Sequence, residues 1–271
     1  MSPPSLCHHM TVCVVPPPDA SLVWKVVTKM RQQLKDPGFY RWPPHANLLY
    51  PFLDSTETLE GLQQAASQVE PFRVTLSHLG TFGGNKRGVL WLSPETDDND
   101  ALHRLHHHLV EAFPICLEDT KHTQFTPHMT LSHFERLEDA LLAQQQIEAD
   151  YQQLLPQLEF ELDTIYLLRR QGDGGQFLRV ADIGLGQQGR CVTWDPPLAF
   201  PNMPVTEEDW VYEERMKLKQ RRNKRGKRGS FQRSSRPREP RIPDTPEVIA
   251  AKRAERQAKR ERALLKQEEE N

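Results

Sequence analysis

Two segments of the chain, Trp42-Pro43-Pro44-His45-Ala46-Asn47-Leu48-Leu49-Tyr50-Pro51-Phe52 and Phe125-Thr126-Pro127-His128-Met129-Thr130-Leu131-Ser132-His133-Phe134, are two copies of one pattern. Aromatic and proline residues precede a histidine, a small polar residue follows it two places later, a Leu comes next, and a Phe closes the segment. In an extended strand, residues i and i+2 project from the same face. His45 with Asn47, and His128 with Thr130, therefore each present an imidazole beside a hydrogen-bonding group. Two such strands facing a groove grip one phosphate between two histidines, so the fold has to bring these distant segments together.

The surrounding pattern is duplicated as well. Met10 to Val15 reads as a buried strand stopped by Pro16-Pro17-Pro18, and Asp19 to Asp36 has helical spacing up to Pro37-Gly38. After the first histidine strand come a helix over about 55–69 and two strands, Phe72 to Leu79 and Gly88 to Leu92, around Gly83-Gly84-Asn85. A helix over about 100–112 then leads to the second histidine strand and a helix over about 137–154. Leu158 to Leu168 and Gln176 to Ile183 form the last strand pair, around Gly172-Asp173-Gly174-Gly175. Helix, histidine strand, helix and hairpin recur in the same order. The expectation is an α+β, bilobal duplicated fold over residues 1–189, with two antiparallel sheets facing a central groove and helices outside.

Beyond Gly189 the apolar periodicity fades. Residues 190–246 read as a Pro-rich and basic linker, largely disordered, and 247–271 as a charged helical tail with Thr245 as N-cap and Pro246 in the first turn. The net charge of −2 hides an asymmetry: residues 1–211 hold 15 Lys+Arg against 27 Asp+Glu, and residues 212–271 hold 20 against 10. An acidic globular part thus precedes a basic tail, which is suited to RNA through backbone charge, to a protein partner through its helix, or to nuclear import through Arg221 to Arg228.

No apolar run reaches about 18 residues, so no membrane span is expected. The N-terminus lacks the basic and apolar regions of a signal peptide, and Cys7, Cys13, Cys116 and Cys191 are scattered with no C-x-x-C pair. These features point to a reduced intracellular protein, nuclear or cytoplasmic with the nucleus favoured by the basic run. A monomer is the default expectation, with no sequence feature behind it.

The paired segments resemble the H-x-[T/S] motifs of the 2H phosphoesterase superfamily, which includes 2'-5' RNA ligases and cyclic phosphodiesterases. The resemblance spans about residues 8–186. It implies a metal-independent, cofactor-free hydrolase acting on RNA ends with a 2',3'-cyclic phosphate or a 2'-5' or 3'-5' phosphodiester. By position it makes His45 and His128 the catalytic pair and Thr130 the hydroxyl that holds a phosphate oxygen. Asn47 departs from the usual Thr or Ser, though its amide still donates to phosphate. Two other readings stand beside this one: a non-catalytic RNA-binding protein on the same fold, and a phosphodiesterase of small cyclic nucleotides.

The chemistry stands without the resemblance. Opening a cyclic phosphate needs a base to activate water and an acid to protonate the leaving ribose oxygen. Histidine, titrating at about 6.5, supplies both forms near neutrality. Trp42, Tyr50 and Phe125 are candidates for stacking on a base, with core packing the competing role. Arg169 and Arg170 either reach phosphate or lie on the surface. His9-Met10-Thr11 repeats the tripeptide of the second motif without its proline or its context, so His9 reads as a surface residue. His103, His106, His107 and His108 have helical metal-ligand spacing, but no Cys or carboxylate at matching spacing completes a site, which favours a solvated helix face.

Overall fold

The computed structural model describes residues 5–55, 57–98, 100–118 and 124–220. The basic run Arg221 to Arg228 and the tail helix expected over 247–271 lie outside them. The described residues belong to one compact unit, Met1–Gln220.

In chain order the elements are β1 (Leu6–Cys7), β2 (Met10–Val14), α1 (Ser21–Gln33), β3 (Ala46–Leu49), β4 (Phe52–Leu53), α2 (Thr58–Ala66), β5 (Phe72–Gly84) and β6 (Arg87–Thr96). There follow α3 (Ala101–Ala112), the short α4 (Ile115–Glu118), β7 (Met129–Phe134), α5 (Leu137–Tyr151), β8 (Glu159–Leu162), β9 (Thr164–Arg170), β10 (Phe177–Gly184) and β11 (Cys191–Leu198). A further helix occupies residues 209–220. The mixed helix-and-sheet class is the one expected.

The strands form two antiparallel half-sheets. One runs β11-β10-β9-β2-β3 and the other β7-β6-β5-β8, and they join where β3 meets β7. That junction is a single register pair, Ala46 opposite Met129. The small pair β1-β4 stands apart. Helices cover one face through the main apolar core, where Val27 and Met30 of α1, Leu62 of α2, Leu105 and Leu109 of α3 and Ile147 of α5 pack on Val12, Leu76, Leu90 and Met129.

Sequence order and spatial order part company at the hairpins. The β5-β6 hairpin follows the first histidine segment, yet β6 pairs with β7, the strand of the second. The β9-β10 hairpin follows the second histidine segment, yet β9 pairs with β2 beside the first. Each half-sheet is thus assembled from both repeats. The run Leu158 to Leu168, expected as one strand, is correspondingly two. β8 pairs with β5 in one half, and β9 lies between β2 and β10 in the other. The chain crosses over at Asp163, whose carbonyl accepts the Leu185 N–H at 2.7 Å. Alternating apolar residues specify which face a strand buries and not which sheet edge it joins, so the break is silent in the sequence.

Order also continues past residue 189, where a linker was expected. β11 pairs with β10, and Phe200 is buried in a second, smaller core with Cys13, Val15, Trp24, Tyr166, Leu168 and Phe177. This core sits on the face of the first half-sheet turned away from the main core. Phe200 packs against Trp24 (5.9 Å) and Tyr166 (5.1 Å), and the Arg179 guanidinium lies 5.1 Å from its ring centre. A single aromatic in a proline-rich stretch has no period to reveal it, but it seals a core that would otherwise face water. Phe200→Ala should therefore lower the unfolding free energy by about 3–5 kcal/mol. Urea denaturation measures this, and a linker residue would change it by less than about 0.5 kcal/mol.

Candidate active site

The single bridge between the half-sheets fixes the geometry of both histidine motifs. Ala46 and Met129 are opposite one another and both are buried in the main core. Directly paired residues share a face, so their neighbours His45, Asn47, His128 and Thr130 all turn to the other side. Antiparallel strands continued one residue either side of this pair set His45 across from Thr130 and Asn47 across from His128. The two histidines lie on a diagonal, about 7–8 Å apart at the backbone.

The two rings are held alike. His45 Nδ1 lies 2.9 Å from the carbonyl of Pro43, and His128 Nδ1 lies 2.9 Å from the carbonyl of Thr126. A carbonyl only accepts, so each Nδ1 carries the hydrogen and each Nε2 is directed away from that carbonyl. Thr11, fully buried in β2, donates from its hydroxyl to Asn47 Oδ1 at 2.7 Å. This turns the Asn47 amide so that Nδ2 lies 3.4 Å from His45 Nε2. The donor end of the amide therefore points at the reactive nitrogen and the space beyond it.

Aromatic rings wall both histidines. The Trp42 indole stacks on His45 with centroids 4.3 Å apart and planes at 7°, and Phe177 stacks on Trp42 at 3.6 Å. Around His128 stand Phe82 (5.0 Å) and Trp91 (6.1 Å), both edge-on. Trp91 lies across Gly80 of the neighbouring strand, and a Cβ there would run into the indole. Burial pushes the His45 imidazole down to about 3. The hydrogen bond to Pro43 works against this shift, while the charges of Arg31, His128 and His133 add to it. The residue is part-buried, and the imidazole is held in its neutral form by burial against these rings.

Of the residues singled out from sequence, Trp42 and Asn47 lie against His45, and His128 and Thr130 flank Met129 on the adjoining strand. Tyr50 sits at the margin, edge-on to Trp42 at 5.7 Å, with its hydroxyl donating to the His8 carbonyl at 3.2 Å. Phe125 goes elsewhere. It stacks flat on His106 of α3 at 3.8 Å and belongs to the packing of that helix, the competing role weighed for it. His103 and His107 are exposed and His107 and His108 both pair with Glu111, whereas His106 is partly covered by Phe125, so the expected solvated face holds for only part of this group. Arg169 is bound to Asp54 at 2.7 Å, and Arg170 lies 5.6 Å from the Phe177 ring centre, at the far end of the Trp42 stack.

Among the described residues, one group has metal-ligand chemistry: Cys7, His9 and Asp54, whose donor atoms lie within 4.8 Å of one another. Both Asp54 oxygens are already taken, by His9 at 3.0 Å and by Arg169 at 2.7 Å, so hydrogen bonds account for the cluster. Thr11, Phe82, Trp91 and Phe177 escaped the sequence reading. Thr11 stood in plain view in His9-Met10-Thr11, but its value lies in a contact 36 residues away.

Comparison with known proteins bears on this geometry. The model of the 2'-5' RNA ligase superfamily matches residues 16–174, more than half of the chain and both histidine segments. The chain belongs to the 2'-5' RNA ligase superfamily. It is also similar to solved structures of LigT from E. coli. The complex with 3'-AMP has a TM-score of 0.47 at 17% identity, covering 68% of this chain and 99% of that one. The NADP+ complex gives 0.43 at 17% identity over 68% and 100%. A crystal structure titled phosphoesterase gives 0.40 at 14% identity over 66% and 99%. No curated protein matches the sequence. Among the described residues no helix is long and apolar enough to cross a membrane.

The state of His45 has a consequence for stability. In the unfolded chain the imidazole titrates near its ordinary value of about 6.5, and in the fold it stays neutral down to about 3. Unfolding therefore takes up a proton between these values. The contribution of the neutral ring is intact above pH 6.5 and is lost progressively as pH falls toward 3, with a limiting slope of about 1.4 kcal/mol per pH unit. Chemical denaturation from pH 7 to pH 4 should show a weaker pH dependence in His45→Ala than in the parent protein. Equal slopes would contradict the enclosed, neutral ring.

Proposed function

We propose that the chain is a phosphoesterase that opens 2',3'-cyclic phosphates, or cleaves 2'-5' or 3'-5' phosphodiesters, at RNA ends, with His45 as base and His128 as acid. The observation that supports this is the pair of Nδ1–carbonyl bonds at 2.9 Å on the two histidines that flank the Ala46–Met129 pair, which gives both rings the same tautomer.

The surroundings of His45 support this assignment of roles. A neutral His45 with hydrogen on Nδ1 has a lone pair on Nε2. It takes the proton of a water attacking phosphorus while the P–O bond to one ribose oxygen breaks. His128, protonated on Nε2, gives its proton to that departing oxygen. The ring that gained a proton and the ring that lost one return to their starting states by exchange with solvent, and in ligation their roles reverse. Thr130 and the Asn47 amide donate to the non-bridging oxygens, where negative charge builds. Neither proton transfer requires a metal, so turnover is expected to persist in chelator.

Replacing His45 or His128 by Ala should each lower turnover of a short RNA ending in cyclic phosphate by about 10²–10⁴-fold without unfolding the protein. Because His45 serves as the neutral base, the acid limb of the pH–rate profile should fall below pH 6.5. Full activity in both variants would exclude the mechanism.

Asn47, in place of a hydroxyl residue, motivates a second reading, an RNA-binding protein without turnover. That protein would bind RNA with affinity dependent on salt and on Arg221 to Arg228, and it would release no product from any cyclic or 2'-5' substrate. Changing the six basic residues of this run to Gln separates the remaining cases. An RNA enzyme that uses the tail loses apparent affinity, whereas an enzyme of small cyclic nucleotides keeps its rate. The same run supports nuclear import, and an unchanged cellular distribution of that variant would dismiss this role.

A further inference from the structure

The segment beyond the family match makes direct contact with the loop that shapes the His45 side of the groove. We propose that Trp210 is a positioning residue for His45, acting through Phe39 and the buried Arg31–Asp36 pair on the loop that ends in Trp42 and Pro43. The proposal rests on the preceding functional reading only in treating His45 as catalytic.

The connection can be followed atom by atom. Trp210, on the 209–220 helix, lies against Phe39 with ring centres 5.4 Å apart, and Lys35 Nζ sits 4.7 Å from its ring centre. Phe39 is buried, with the Arg31 guanidinium 5.7 Å from its ring centre. Arg31 and Asp36 are themselves almost wholly enclosed, at 3% and 2% exposure. Arg31 binds Asp36 through Nε at 2.8 Å and Nη2 at 2.7 Å, and donates from Nη1 to the Trp42 carbonyl at 2.8 Å. The other Asp36 oxygen accepts the Gly38 N–H at 3.0 Å, and the Gly38 carbonyl accepts the N–H groups of Arg41 and Trp42, each at 3.0 Å. One buried ion pair thus sets the path of residues 36–42. At its end, Trp42 supplies the ring stacked on His45, and Pro43 supplies the carbonyl that fixes its tautomer.

The same extension also supports the opposite side of the Trp42 ring. Phe177 stacks there and shares its small core with Phe200, while Gln176 donates to the Pro204 carbonyl at 2.7 Å. Arg215 closes the segment on itself by binding Glu207 through two bonds, at 2.9 and 2.7 Å. Residues 200–215 therefore hold Trp42 from behind and hold its loop from the side. The family match ends at residue 174, so this support belongs to a part of the chain beyond the matched region.

The physical effect of Trp210 is to keep water out of the loop beneath His45. Removing the indole leaves Phe39 exposed and the Arg31–Asp36 pair closer to solvent. The stack on His45 then loosens and its ring is better hydrated. The charged groups acting on His45 are Arg31 from α1 and His128 and His133 from the second histidine segment; Lys35 and Glu208 flank Trp210. All of these remain in a Trp210→Ala variant, so a change in His45 titration reports the packing.

The test is imidazole NMR on the full chain without substrate, beside pH–rate profiles on a cyclic-phosphate RNA. Trp210→Ala should move the His45 midpoint upward toward 6.5 and leave His128 in place, while Trp210→Phe should titrate as the parent does. The acid limb of the rate should move with His45, with kcat falling several-fold and KM little changed. If Trp210→Ala does not fold, Trp210→Leu is read instead, and the same upward shift is required of it. An unchanged His45 titration in the folded variant overturns the proposal. A shift in His45 in a protein that turns over no substrate upholds the positioning role and refutes the functional reading. Turnover with no shift does the reverse.

Discussion

One backbone pair, Ala46 opposite Met129, governs the arrangement of the molecule's chemistry. Both side chains enter the main core, and that burial decides which way their neighbours turn. Had either strand slipped by one residue, its histidine would point into the core and an apolar side chain would point into the groove. The cost of burying an imidazole without its partners, together with the loss of apolar burial, makes the observed register the stable one. The same packing that holds the half-sheets together therefore aligns the four groove residues, with no separate device for doing so.

The two histidines are alike in their tautomer and unlike in their surroundings. His45 lies against an indole that is itself backed by Phe177 and by the small core. His128 meets its aromatic neighbours edge-on and next to a hairpin end. Two similar motifs thus sit in different surroundings, and such a difference is what the proposed division into one base and one acid requires. Thr11 and the Arg31–Asp36 pair act a layer further out. The first turns the Asn47 amide, and the second fixes the carbonyl end of the loop from which His45 emerges.

The facing of His45 with Asn47 and of His128 with Thr130 was legible in sequence because period-two spacing is a local property, and the repeated Pro-His-x-polar-Leu pattern states it twice. The class of fold was legible for a related reason, since amphipathic helices and Gly-rich turns announce themselves locally. The partners of each hairpin were not, because β5-β6 and β9-β10 would satisfy their own alternation against either histidine strand. The split at Asp163 was hidden inside an unbroken apolar run. Phe200 was hidden in the opposite way, alone among prolines with no period around it. Thr11 and Arg31 carry ordinary local signals, and their roles exist only through contacts that the fold creates.

The central claim is that His45 and His128 grip one phosphate. The direct measurement is a titration of the isotope-labelled protein with a nucleoside 2'- or 3'-monophosphate, following both imidazole Nε2 resonances. The account predicts that the two resonances move together along one binding curve, and that neither moves with the unphosphorylated nucleoside. Movement of one ring alone, or two curves with different midpoints, would contradict it.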